Sequence, residues 1–189
     1  GQGVREGLAM SLATDTLGAP ESVRRGSLEA LARRFAGWSE DRAVRRERAA
    51  GVLHEALERW PSPELAEALG QAAWTLDIGR TIDFFDRHEH VADLVLETNL
   101  AGFTHRQVAL LSAILRKAGD GGSRPHSYAP LLTRQDGPGL ERAAVVVALA
   151  DEITERCSPG SAVELECRVR DGEAVISVPA LESWAVRKL

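Results

Sequence analysis

Apolar positions recur at helical spacing along most of the chain and at strand spacing only near its end. After a break at Gly18-Ala19-Pro20, Glu21-Ser22 restarts a helix in which Leu28, Leu31, Ala32 and Phe35 form one buried stripe, ended by Gly37. Ser39 is placed to cap a second helix running to about Trp60, with Leu53, Ala56, Leu57 and Trp60 as its apolar face. Ser62-Pro63 opens a third, carrying Leu65, Ala68, Leu69 and Ala72. His88 to Leu96 is a fourth, with Val91, Leu94 and Val95 inward. Thr104-His105-Arg106-Gln107 has the form of a capping box, followed by Val108, Leu111, Ile114 and Leu115. Gly119 to Pro125 is a loop by composition and Tyr128-Ala129-Pro130 a turn. Leu140 to about Arg156 is continuously apolar from Ala143 to Ala150, as expected of a buried helix. Past Ser158-Pro159-Gly160, Ala162–Val169 and Glu173–Val178 alternate across Arg170-Asp171-Gly172, a hairpin signal. The fold class that follows is mainly α, a helical bundle with a small C-terminal β-hairpin.

Candidate chemistry gathers around Ala72-Ala73-Trp74-Thr75-Leu76-Asp77-Ile78-Gly79-Arg80 and the following Arg87-His88-Glu89-His90. Histidines and an aspartate this close suggest a metal, which needs several convergent donors to replace its water. His88 and His90, however, are two residues apart, so on a helix they point about 200° apart and cannot face one ion together. Helix-end and surface histidines are the plainer reading. Asp151 follows an apolar run, so it is either a helix-end surface acid or a buried one needing a partner such as an arginine.

Charge changes the picture locally. The chain is −5 overall, which argues against a nucleic-acid binder by bulk electrostatics. Between Arg24 and Arg48, however, eight arginines face four acids. Arg42, Arg45 and Arg46 share a helix face, and a guanidinium fork suits phosphate oxygens; the alternative is a solvated face neutralised by Asp41 and Glu47. Cys157 and Cys167 lack ribbon spacing and give no disulfide framework, so a reducing cytoplasm is expected. No apolar run approaches the ~20 residues of a membrane helix. The first residues, Gly1-Gln2-Gly3, carry no initiator Met, which suggests a piece of a longer protein.

In order and spacing, Asp77-Ile78-Gly79, His88-Glu89-His90 and Gly102-Phe103 resemble the C-terminal helical half of the exopolyphosphatase and guanosine-pentaphosphate phosphatase family, a half related to HD-type phosphohydrolases. Val4-Arg5-Glu6-Gly7-Leu8 resembles the segment closing that family's actin-like half, and Leu181-Glu182-Ser183-Trp184 its terminal segment. The resemblance implies three parts: residues 1–18 closing an absent actin-like domain, an HD-like bundle over 19–158, and a hairpin and tail over 159–189. It also implies that three HD-type positions have lost histidine, at Arg42, Leu76 and Ala118, while Asp77, His88, His90 and Asp151 remain.

A metal-bound hydroxide needs its metal, and two carboxylates without imidazoles hold one poorly. The expectation is therefore a non-catalytic C-terminal domain with no cofactor or metal of its own. Its parent would hydrolyse terminal phosphates of polyphosphate or guanosine pentaphosphate, using magnesium in the absent half. The domain would contribute to polyphosphate binding through Arg42, Arg45, Arg46, Arg116 and Lys117, in a hollow now suited to anions, and to a homodimer. The alternative is an active HD-type phosphohydrolase acting on a nucleotide, with Asp77, His88, His90 and Asp151 around a divalent ion. A module sensing guanosine tetra- or pentaphosphate is a third possibility.

Overall fold

In the computed structural model, which describes residues 18–58, 62–119, 128–158, 160, 163–179 and 181, helix α1 (Pro20–Ala32) starts on the proline of the expected break. It ends before Phe35, which nevertheless packs against the core from the turn that follows. Helix α2 (Glu40–Leu57) stops short of Trp60, and the Ser39 hydroxyl makes no capping bond. Residues 59–61 lie outside the described set. Helix α3 (Pro63–Thr75) begins on proline, and the Ser62 hydroxyl likewise leaves it uncapped. The chain then tightens into a 3-10 segment, Leu76–Thr81.

Helices α4 (Arg87–Glu97) and α5 (His105–Ala118) follow. Here the capping box forms as expected: Thr104 Oγ1 accepts from the Gln107 amide while Gln107 Oε1 accepts from the Thr104 amide at 2.9 Å. Helix α6 (Asp136–Arg156) starts four residues before Leu140, because Pro138 falls in a first turn where its missing N–H costs nothing. Its apolar run is not buried all round: Val145 is 65% exposed, on the face that the helical period turns outward.

α2, α3, α5 and α6 pack on one another, with α4 laid against α5 and the 3-10 segment. Their shared core holds Leu28, Leu53, Leu69, Trp74, Leu76, Ile78, Leu111, Ile114, Val147 and Ile153. Strands β1 (Glu166–Arg170) and β2 (Glu173–Ser177) form the antiparallel hairpin, shorter than the alternation suggested, with β1 against α2. Asp171 and Gly172 both have positive φ (51° and 82°), the backbone that a two-residue hairpin turn requires. Among the described residues no helix is long and apolar enough to cross a membrane. Both the closing segment expected at residues 1–18 (beyond Gly18 itself) and the end of the Leu181–Trp184 motif lie outside those residues.

Candidate functional site

The apolar face of α2 carries an arginine. Ala43, Ala49, Ala50 and Leu53 are buried, and Arg46, on the same stripe, is buried with them at 0% exposure. A guanidinium keeps its proton, so it must be matched where it lies. Nη2 sits 2.7 Å from Asp77 Oδ2, Nε 2.7 Å from Asp151 Oδ1, and Nη1 donates to the Ala73 carbonyl at 2.9 Å. One cation thus bridges α2 to the 3-10 segment, to α6 and to the end of α3.

Three further arginines complete the cluster. Arg42, one turn before Arg46, places Nε 2.9 Å from Asp77 Oδ2. Arg80 places Nε 3.2 Å from Asp77 Oδ1 and its Nη2 on Glu155. Arg87, the first residue of α4, gives Nη2 to Asp151. It gets there because Gly79 lets α4 approach: a Cβ on Gly79 would lie 2.3 Å from the Arg87 carbonyl oxygen. Phe84 lies between two of these cations, 4.8 Å from both Arg80 and Arg87. Burial alone would raise the Asp77 pKa, but Arg46 first, then Arg42 and Arg80, hold it below the ordinary carboxylate value. Burial likewise opposes the charge on Arg80, and the Glu155 and Asp77 carboxylates outweigh it, raising its pKa.

Asp77, Asp151 and Glu155 each bring one oxygen within 4.8 Å of the others, the spacing of a metal-ligand set. The donor chemistry does not fit an ion, because guanidiniums already face these carboxylates and Arg46 lies between two of them. Two other positions expected to be of HD type carry no ligand: Leu76 is an aliphatic core residue, and Ala118 has no donor. His88 packs beside Gly119, where a Cβ would meet its ring at 3.2 Å, and His90 is half-buried on α4. The hollow expected to suit anions is filled by cations that belong to the chain.

The candidate phosphate ligands do not converge. Arg42 and Arg46 enter the cluster; Arg45 pairs with Asp41 at 3.1 Å. Arg116 is bound by Glu89 and Asp93, and Lys117 by Glu141. Arg80, Arg87 and Glu155 were not singled out from sequence. Arg46 was readable as a core residue, since it lies three from Ala43 and from Ala49 on one stripe, but its membership of an arginine-rich run concealed that.

No family model matches the chain. It is 29% identical over 190 residues to the guanosine-5'-triphosphate,3'-diphosphate pyrophosphatase of Vibrio atlanticus (strain LGP32), an alignment taking in 97% of this chain and 36% of that protein. The chain therefore spans about a third of the relative's length. This similarity supports a relationship to the exopolyphosphatase and guanosine-pentaphosphate phosphatase family.

Proposed function

We propose that this chain is a non-catalytic helical module of an exopolyphosphatase- or guanosine-pentaphosphatase-like protein, in which an HD-type metal site has been closed by arginine. The observation that carries the reading is Arg46, wholly buried between Asp77 and Asp151. A hydrolytic HD site needs a cation with an open coordination position to activate water. A guanidinium neutralises the same carboxylates but has no such position and gives up no proton. The parent would act on a guanosine polyphosphate or on polyphosphate, with magnesium held in its other half. In that parent the exposed arginines of the basic run, such as Arg34 and Arg48, are best placed to extend a phosphate track, since Arg42, Arg46 and Arg116 are held in internal pairs and Arg45 is mostly buried beside Asp41. Pairing of two modules in a homodimer belongs to the same proposal.

The test is metal analysis of the purified chain together with turnover of a generic phosphomonoester in added manganese, zinc or magnesium. The reading expects no stoichiometric metal and no turnover. An ion bound at Asp77 and Asp151 with metal-dependent hydrolysis would establish the phosphohydrolase instead. For the parent, polyphosphate affinity should fall steeply with salt, and Arg34→Gln with Arg48→Gln, both exposed, should flatten that dependence.

A further inference from the structure

On α2, Val44, Arg48 and Val52 recur every fourth residue and so share one face, with Val44 left 45% exposed. Val52, together with Val163 and Leu165 from the chain entering β1, lines a groove of about 310 Å³ beside the buried Ala49. Val163 and Leu165 also pack against the core, so this apolar strip is held in place from beneath. The polar groups of the groove are Arg48 on the α2 side and Glu164 and Glu166 on the β1 side. Glu166 pairs with Arg168 at 2.9 Å, while Glu164, which is exposed, has no basic partner among the described residues.

The chain comes back to this groove at its end. Ser177 of β2 stands opposite Glu166 in an antiparallel ladder, so the residues that follow run back beside Leu165 and Glu164. Val178 and Leu181 pack against the core, tied by a turn in which the Leu181 amide donates to the Val178 carbonyl at 3.0 Å. Leu181 is the last described residue, and Glu182-Ser183-Trp184-Ala185-Val186-Arg187-Lys188-Leu189 come after it. Trp184 is three residues on, within ~10 Å of extended chain. The segment offers an indole and two aliphatic side chains to an apolar strip. It also carries two bases and one acid, where the groove carries two acids and one base.

We propose that residues 182–189 of this chain dock in the groove between α2 and β1, with Trp184 against Val52, Val163 and Leu165 and with Arg187 and Lys188 toward Glu164 and Glu166. Trp184 is the anchor, because an aromatic side chain brings the largest apolar area to such a contact. The tether from Leu181 keeps the segment at high effective concentration, so docking needs little intrinsic affinity. The proposal concerns this chain alone and does not depend on what its parent hydrolyses.

Acrylamide quenching of Trp184, taken as the difference between each chain and its Trp184→Phe counterpart, tests it. In the folded chain quenching should be several-fold weaker than in urea, with emission shifted to shorter wavelength. Val52→Asp puts a charge into the groove and should return Trp184 to the urea level, whereas Val145→Asp, on the exposed face of α6, should leave it protected. Glu164→Lys with Glu166→Lys, both exposed, should raise quenching with the helical circular dichroism retained, and this pair decides should Val52→Asp fail to fold. Three results would each overturn the proposal: Trp184 as quenchable in the folded chain as in urea, protection indifferent to the groove variants, or protection lost on dilution, which would seat the segment on a second copy.

Discussion

Replacing Arg46 with alanine removes the cation and leaves Asp77 and Asp151 facing a void, each at most 4% exposed by side chain. Breaking a buried pair from one side costs about 3–5 kcal/mol, because the surviving charge is left unmatched. Arg42, Arg80 and Arg87 still touch the two acids, so the lower end of that range is expected. For a domain of this size each kcal/mol moves the melting point by about 2–4 °C, so a fall of roughly 6–12 °C follows at neutral pH. The pH dependence carries more information than the size. In the wild type Asp77 has a folded pKa below its unfolded value, so its contribution is present above about pH 4 and is lost as pH falls through the folded pKa. In Arg46→Ala burial dominates and raises the carboxyl pKa, so the gap between variant and wild type should narrow as pH drops from 7 toward 4. Urea denaturation at several pH values measures both. A second arm replaces Arg46 and Arg87 with methionine together with Asp77→Asn and Asp151→Asn, which should recover part of the lost stability, because the buried charges go together while the partly exposed Arg42 and Arg80 keep Glu155. An Arg46→Ala midpoint within 1 kcal/mol of wild type at pH 7, or a gap that widens in acid, would refute the claim that this guanidinium stands in for an ion.

Gly79→Ala should separate α4 from the 3-10 segment, since the new methyl would lie 2.3 Å from the Arg87 carbonyl oxygen; thermal melting should show a loss of about 1–3 kcal/mol, typical of overpacking. His54 is buried at the end of α2, and that burial lowers its pKa despite Glu58 nearby. The unfolded chain therefore binds a proton that the folded one resists, and stability should decline as pH falls below about 6.5; His54→Leu should flatten that limb between pH 7 and 5.5 in urea titrations. Thr104→Ala breaks the capping box and should cost about 1 kcal/mol, with amide exchange rising first in the opening turn of α5.

Helix existence was legible because burial imposes a 3.6-residue period on any helix with one dry face, and the stripes at Leu65–Ala72 and Val108–Leu115 are plain in the sequence. The Asp171-Gly172 turn was legible because few residue pairs accept positive φ twice. Boundaries were less so: whether Ser39 and Ser62 cap depends on a rotamer set by neighbours, and both hydroxyls make no capping bond. The cluster was legible in half. The apolar run before Asp151 left a surface acid and a buried acid paired with arginine both open; the structure has the second, with partners from α2 and α4, far away in sequence. Arg42, Arg45 and Arg46 look equivalent as a charge run; only packing distinguishes Arg46, which points into the core, from Arg45, which reaches Asp41 and the Ser158 carbonyl.

A cation carried by the backbone cannot diffuse away. A domain clasped by a dissociable ion inherits the ion's supply, its competitors and its affinity for chelators. Here the clasp is made at translation, one per molecule, so EDTA, metal starvation and a change of divalent salt should all leave the assembly of α2, α3 and α6 as it was.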